Sequence, residues 1–261
     1  MGSIRTPAVA GMFYPADQQE LRAMVDSCLR DAPPANHAPK AMIVPHAGYV
    51  YSAPVAASGY ARLASVREQI KRVVLLGPSH RVALYGLAMS SADQFATPLG
   101  NIPIDKSALS QINDLPQVKM MDQAHELEHS LEVHLPFLQE TLSDFMLVPL
   151  VVGDASPDEV AQVLERLWGG PETLIVISSD LSHFHDYASA QIRDKRTSNA
   201  IENLQPEKIQ YDDACGRNPV NGLLTVARKL GLHATTIDLR NSGDTAGDRD
   251  RVVGYGTYVF E

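Results

Sequence analysis

Short apolar runs alternate with longer stretches of helical periodicity along most of this chain, and that alternation constrains its fold more than any other feature. Apolar runs that are rich in β-branched residues and end at Pro, Gly or Ser predict buried strands, here at Ala41–Val44, Arg72–Leu76, Phe145–Val152 and Leu174–Ser178. The later runs His233–Leu239 and Val252–Phe260 predict two more strands. Helices are predicted over Pro54–Leu63, Leu131–Leu142, Pro157–Leu167, Ala188–Leu204 and Pro219–Leu230. Because strands that alternate with helices form βαβ units, we expect an α/β fold with one mixed, mostly parallel sheet flanked by helices.

Length and composition indicate a single domain with an ordinary hydrophobic core. An α/β chain of 261 residues often folds as one unit, and the Pro-rich stretch Asp31–Lys40 is too short to separate two domains. We therefore expect one domain over residues 1–261.

Charge and cysteine content narrow the functional class. With 31 acidic and 22 basic residues the net charge is −9, which argues against nucleic acid and against an anionic membrane surface as partners. The apolar runs are far shorter than the roughly 20 residues of a membrane span, and the first ten residues lack the apolar core of a signal peptide. Cys28 and Cys215 cannot form a disulfide framework, so we expect free thiols and a cytoplasmic location.

Histidines follow three of the predicted strands in the same way. His46, His80 and His183 each come shortly after a buried run. Ligands of such sheets bind beyond the carboxyl ends of the strands, and imidazole both ligates transition metals and transfers protons near neutral pH. The alternative is that each is an ordinary loop or capping histidine.

Cys215 precedes the helix predicted at Pro219, in a polar setting rich in Gly and Pro. The N-terminus of a helix stabilises a thiolate, so Cys215 is a candidate ligand or nucleophile; the alternative is a small buried hydrophobe, as we expect for Cys28. Two histidines and one thiolate would make a metal site with open positions for substrate and oxygen.

The segment from His125 to His129 matches the H-E-x-x-H pattern of zinc proteases. That pattern requires both histidines on one helix, whereas residues 120–124 are expected to be irregular and the helix to begin near Glu128 or Ser130. We therefore expect His125 not to be a ligand and His129 to be a pocket residue. His134 lies about 140° around a helix from His129, which predicts a structural role.

Several motifs in one order resemble the MEMO family, whose members are similar in fold to class III extradiol dioxygenases of the LigB type. The motifs are Arg5–Pro15, Pro45–Tyr49, Leu76–His80, Glu128–Pro136, Ser178–Asp180 and Cys215–Arg217.

The resemblance implies a metal site and an acid–base group. His46 and His80 match the two histidine ligands of the dioxygenases, and Cys215 stands where those enzymes place a carboxylate. Ferrous iron is the expected metal, and the soft thiolate also suits copper or zinc. Asp180 and His183 match pocket residues of the family.

Two functions follow. The first is a non-haem iron-dependent oxidoreductase or dioxygenase acting on a small cyclic or phenolic molecule. In it, His183, oriented by Asp180, would transfer a proton, and His129 would hold substrate or oxygen. The alternative is a non-catalytic module that binds a metal or peptide and works with AMMECR1-like and radical-SAM proteins, two partner classes that the resemblance suggests. A homo-oligomer is compatible with both.

Overall fold

The computed structural model describes residues 2–34 and 37–261, so residues 35 and 36 of the Pro-rich stretch lie outside it, as does Met1. The strands are β1 (Ile4–Arg5), β2 (Ala41–Val44), β3 (Arg72–Pro78), β4 (Leu87–Met89), β5 (Gln94–Thr97), β6 (Gly100–Pro103), β7 (Val118–Met120), β8 (Met146–Val152), β9 (Thr173–Ser178), β10 (His183–His185), β11 (Ala234–Asn241) and β12 (Val252–Phe260). The helices are α1 (Gln18–Asp31), α2 (Tyr49–Tyr60), α3 (Lys106–Ser110), α4 (Gln123–Glu126), α5 (Leu135–Thr141), α6 (Pro157–Leu167), α7 (Tyr187–Glu202) and α8 (Arg217–Leu230). Short 3-10 helices lie at Ala61–Val66, Glu132–His134, Pro206–Lys208 and Ser242–Asp244.

The large sheet has a parallel centre and antiparallel edges. Its strand order is β10-β12-β2-β9-β3-β8-β4-β7, and β11 also pairs with β12. Strands β2, β9, β3 and β8 are mutually parallel, whereas β12 is antiparallel to β2 and β4 is antiparallel to β8. Helix α8 packs on α6 and on β3 and β9, and α2 packs on α1, β2 and β12. The predicted α/β fold with a mixed sheet flanked by helices is confirmed.

The central strands are buried along almost their whole length, which explains why their sequences are continuously apolar. A parallel sheet covered by helices on both faces buries both sets of side chains. Helix α6 begins and ends as predicted because Ser156 and Glu159 form a reciprocal capping box at its N-terminus. No helix in the described part of the chain is long and apolar enough to cross a bilayer.

Two helices begin at least two residues earlier than the sequence predicted. Helix α2 starts at Tyr49 rather than Pro54, because burial of nine of its twelve residues offsets the backbone hydrogen bond lost at the proline. Helix α8 starts at Arg217 rather than Pro219, so Cys215 lies directly before its N-cap, Gly216.

The region between β3 and β8 was the least well predicted. It forms β4 to β7, of which β5 pairs with β1 and with β6 in a separate three-stranded sheet. Residues 120–124 are not the irregular approach that was expected, because they include the end of β7 and the start of α4. Strands of three or four residues carry too few side chains for a periodic signal.

Candidate metal centre

The candidate site lies where three neighbouring parallel strands end. In the sheet, Val44 of β2 pairs with Ser178 of β9, and Leu76 of β3 pairs with Ile177, so the carboxyl ends of these strands lie side by side. Two residues after the end of each strand, the backbone carries a polar side chain: His46 after β2, Asp180 after β9 and His80 after β3. The register of the sheet therefore brings these three side chains to one edge.

The structure brings His46, His80 and Cys215 together. Their candidate ligand atoms all lie within 4.8 Å of one another. His46 Nε2 is 3.4 Å from Cys215 Sγ, and the two imidazole rings are 5.1 Å apart at their centroids. Two ligands on one tetrahedral ion, with bonds of about 2.1 Å, lie about 3.4 Å apart. The three donors therefore need only a small contraction to bind one ion.

Neighbouring groups engage the Nδ1 atom of each histidine. Glu128 Oε1 lies 2.8 Å from His80 Nδ1, and Glu128 Oε2 accepts a 2.6 Å hydrogen bond from the His80 backbone N–H. Ser178 Oγ lies 2.6 Å from His46 Nδ1. A partner on one ring nitrogen fixes the tautomer and leaves the other nitrogen for a metal, so Nε2 is the candidate ligand atom of both rings.

Electrostatics favour a neutral His46 ring and an ionised Glu128 carboxylate. Burial, reinforced by the neighbouring His80 and His129, holds the pKa of His46 well below its usual range. Burial alone would raise the pKa of Glu128, but hydrogen bonds and the charge of His80 lower it to about 2. Neutral imidazole is the form that ligates a metal.

Cys215 differs from the expectation of a stabilised thiolate. Its side chain is half-buried, and its S–H lies 3.7 Å from the Asp180 backbone carbonyl. Burial, together with the nearby Asp180 carboxylate, raises the pKa of Cys215 above its usual value. The metal-free protein therefore carries a thiol here, and binding of a metal would release its proton.

His183 and Asp180 do not form the pair that the sequence predicted. His183 Nδ1 hydrogen-bonds to the Leu181 carbonyl at 2.8 Å, while the Asp180 carboxylate accepts a 2.7 Å hydrogen bond from the His46 backbone N–H. His183 also lies on strand β10, paired with Val253 of β12, rather than in a loop. Asp180 therefore orients the His46 loop, and Leu181 orients His183.

His129 lies beside the two histidine ligands. Its ring stacks on His80 at 4.6 Å and is 5.4 Å from the ring of His46. His80, Glu128 and His129 form a second group of candidate ligand atoms within 4.8 Å. Burial lowers the pKa of His129 to about 4, so it too is neutral. The structure thus places His129 beside both candidate histidine ligands.

His125 is part of the core, away from the candidate ligands. Its Nε2 is 3.0 Å from the Ala88 carbonyl, and its own carbonyl accepts two hydrogen bonds from Arg5. His125 lies in the four-residue helix α4, which ends before His129. The two histidines of the H-E-x-x-H pattern therefore do not share a helix, and the zinc-protease geometry is not formed.

A cavity of about 830 Å³ opens beside the candidate metal centre. His80, Cys215 and His183 line it, together with Arg217 and Tyr211. Its volume suits a small organic molecule.

Residues 5–259 match the family model described as Memo-like protein. The chain belongs to the MEMO family. A MEMO1 family protein of Aquifex aeolicus is 38% identical over 269 residues, which cover 98% of this chain and 99% of the relative. A MEMO1 family protein of Nitrosopumilus maritimus is 32% identical over 275 residues, with 98% and 99% coverage. A crystal structure of an uncharacterized protein from Escherichia coli K12 matches with a TM-score of 0.53 at 13% sequence identity. The match covers 84% of this chain and 98% of the other chain, and it supports the fold alone.

Sequence reasoning assigned no role to two side chains that support the ligands of this MEMO-family protein. Glu128 holds His80, and Ser178 holds His46. Both lie inside the motifs that identified the family; Glu128 directly precedes His129, and Ser178 lies two residues before Asp180. Their position in those motifs could have predicted this supporting role, because carboxylates and hydroxyls commonly hydrogen-bond to histidines that ligate a metal.

Proposed function

We propose that this protein is a metal-dependent oxidoreductase that acts on a small cyclic or phenolic molecule. The convergence of His46, His80 and Cys215 at the edge of a cavity of about 830 Å³ carries this proposal. Two imidazoles and one anionic ligand that leave coordination positions open are typical of non-haem ferrous iron oxygenases. Ferrous iron is therefore the proposed metal, and copper or zinc also suits this donor set.

The residues around the centre fit the proposed metal. The Nδ1 atoms of His46 and His80 are engaged by Ser178 and Glu128, which leaves both Nε2 atoms for ligation. Bound ferrous iron would supply a redox centre that activates dioxygen for attack on the substrate. If the substrate ring is cleaved and both atoms of dioxygen enter the product, the reaction needs no external reductant.

His183 is the proposed proton acceptor. The Leu181 carbonyl can only accept a hydrogen bond, so in the neutral ring His183 Nδ1 carries the hydrogen and Nε2 has the lone pair. Because His183 lines the same cavity as His80 and Cys215, it can take a proton from a phenolic hydroxyl and return it later. His129, stacked on His80, is the proposed group that positions substrate or oxygen.

An oxygen-uptake experiment tests the proposal. The protein is loaded with ferrous iron in oxygen-free buffer, mixed with catechol and related diols, and followed with an oxygen electrode. We expect one equivalent of iron per chain and substrate-dependent oxygen uptake that the Cys215→Ser variant lacks. Failure to retain iron would contradict the proposed centre, and iron binding without uptake on any diol would favour the alternative function.

The alternative function is a non-catalytic module that binds a metal or peptide and works with AMMECR1-like and radical-SAM partners. Exposed aromatic side chains at the cavity favour it, because Phe184 and Tyr211 are 62% and 79% exposed. Such rings are enriched in protein interfaces. In either function a reducing cytoplasm, our proposed location, would keep the Cys215 thiol available to a metal.

A further inference from the structure

A continuous chain of hydrogen bonds runs through the core behind His46. Tyr60 Oη is 2.9 Å from His134 Nδ1, and His134 Nε2 is 2.8 Å from Ser178 Oγ. Ser178 Oγ is in turn 2.6 Å from His46 Nδ1 and 2.6 Å from the Ser130 carbonyl oxygen. All five residues are at most 2% exposed.

Counting hydrogens assigns every donor in this chain. Ser178 Oγ has three partners but one hydrogen, and the Ser130 carbonyl can only accept. The Ser178 hydrogen therefore points to Ser130, and both imidazoles must donate to Ser178. Any other assignment would leave two oxygen atoms 2.6 Å apart with no hydrogen between them.

The same count fixes the tautomers of both histidines. His46 carries its hydrogen on Nδ1, so the lone pair of Nε2 faces Cys215. His134 carries its hydrogen on Nε2, so its Nδ1 accepts from the Tyr60 hydroxyl. Burial lowers the pKa of His134 to about 3, which keeps that ring neutral and leaves it a single N–H.

We propose that Ser178, oriented by the Ser130 carbonyl, locks His46 in the tautomer that ligates metal through Nε2. His134 and Tyr60 are then positioning residues that hold Ser178 from behind. The consequence for metal binding rests on the function proposed above, whereas the tautomer is a property of the metal-free protein.

The chain does not serve as a proton exit. It ends at Tyr60, whose side chain is completely buried. Its hydroxyl hydrogen is already donated to His134. Acid–base chemistry therefore stays with the histidines that face the cavity, and His134 is a support rather than a second base.

Nitrogen-15 NMR of the metal-free protein, labelled in histidine, tests the proposal directly. We expect Nδ1 of His46 to be pyrrole-like and Nε2 to be pyridine-like, with the reverse pattern for His134. Ser178→Ala should convert His46 to a mixture of tautomers. Ser58→Ala is the matched control, because Ser58 is an equally buried serine whose hydroxyl bonds to the Val55 carbonyl.

Titration with ferrous iron in oxygen-free buffer provides the second measurement. Loss of a supporting contact typically weakens metal binding by about 10- to 100-fold, which we expect for Ser178→Ala and not for Ser58→Ala. Tyr60→Phe should leave both tautomers unchanged, because Ser178, whose hydrogen is bonded to the Ser130 carbonyl, still requires His134 Nε2 to donate.

The outcomes separate the two proposals. A His46 ring protonated on Nε2 in the unmodified protein would overturn the tautomer lock, even if Ser178→Ala fails to fold. An unchanged tautomer and unchanged iron affinity in Ser178→Ala would overturn it as well. If the protein shows the expected NMR pattern but binds no iron, the proposed tautomer of His46 is supported and the proposed metal function is refuted.

Discussion

Each candidate ligand is held by a different part of the backbone, and this decides how single substitutions act. His46 and His80 follow β2 and β3, which lie on either side of β9, whereas Cys215 precedes helix α8. Glu128 fixes the ring of His80 with a short hydrogen bond. Removal of a ligand should therefore empty the centre without disturbing the elements that carry the other two.

The first prediction concerns the ligands. His46→Ala, His80→Ala and Cys215→Ser should each weaken metal binding by more than about 100-fold. This loss exceeds the effect of removing a residue that only supports a ligand. His125→Ala is the control and should retain the metal, because His125 Nε2 is bonded to the Ala88 carbonyl. Metal content and a binding titration measure both effects. Loss of metal in His125→Ala together with full retention in Cys215→Ser would show that the site is elsewhere.

The second prediction separates acid–base chemistry from ligation. His183→Ala should keep the metal and lose about 10²- to 10⁴-fold in turnover, the usual contribution of a general acid–base group. His185→Ala is the control, since His185 lies on the same short strand and lines the same cavity. Metal content and oxygen uptake are measured on the same sample. Unchanged uptake would remove His183 from the mechanism, and lost metal would make it a ligand.

At the scale of elements, the segment from Glu128 to His134 joins three parts of the molecule. Glu128 holds His80 at the end of β3, and His134 supports Ser178 at the end of β9. Glu132 is buried and accepts hydrogen bonds from the backbone N–H groups of Ala8 and Val9 and from the Tyr14 hydroxyl. It also forms an ion pair with Arg5. One short segment thus ties the N-terminal chain to the strand ends.

The third prediction concerns the contact between α8 and β9. A Cβ atom on Gly216 would lie 2.5 Å from the Ser178 carbonyl oxygen and 2.6 Å from Ser179 Cβ. Gly216→Ala should therefore push the start of α8 away from β9, cost about 1–3 kcal/mol of stability, and carry Cys215 away from His46.

Gly231→Ala, at the other end of α8, is the matched control. Apart from the adjoining backbone, no described atom lies within 4 Å of its added Cβ, although its φ of +69° disfavours alanine. It should cost about 1 kcal/mol of stability and leave metal affinity unchanged. Denaturant unfolding and a metal titration measure both variants. Equal metal affinities would show that the close contact of α8 with β9 does not position Cys215.

At the scale of the whole molecule, several histidines are buried as neutral groups. Burial lowers the pKa of His125 to about 4, and it holds the pKa of His46 well below its usual range. Since these histidines bind protons near pH 6.5 in the unfolded chain but not in the folded chain, their contribution to folding stability is greatest above that pH. It decreases as the pH falls from about 6.5 toward 4.

The fourth prediction isolates one of these groups in the metal-free protein. His125→Gln keeps a donor for the Ala88 carbonyl but cannot titrate. Because its pKa falls from 6.5 to about 4 on folding, His125 should account for a loss of roughly 3 kcal/mol over that pH range. Between pH 6.5 and 4, unfolding of the variant should take up about one proton fewer than unfolding of the unmodified protein, so its stability should fall less steeply with decreasing pH. Denaturant unfolding across that range is the measurement, and parallel pH profiles would contradict a neutral buried His125.

The sequence by itself determined the central strands, the α/β class and the placement of His46 and His80 after strands. Those inferences hold because burial on both faces demands continuous apolar runs, and because parallel strands end at a common edge. Tertiary structure alone decided the orientation of the polar groups. Leu181 rather than Asp180 bonds to His183, and Glu128 and Ser178 engage the candidate ligands. Such contacts join residues far apart in the chain, and their donors and acceptors are set by sheet register and helix packing, which leave no periodic signal in the sequence.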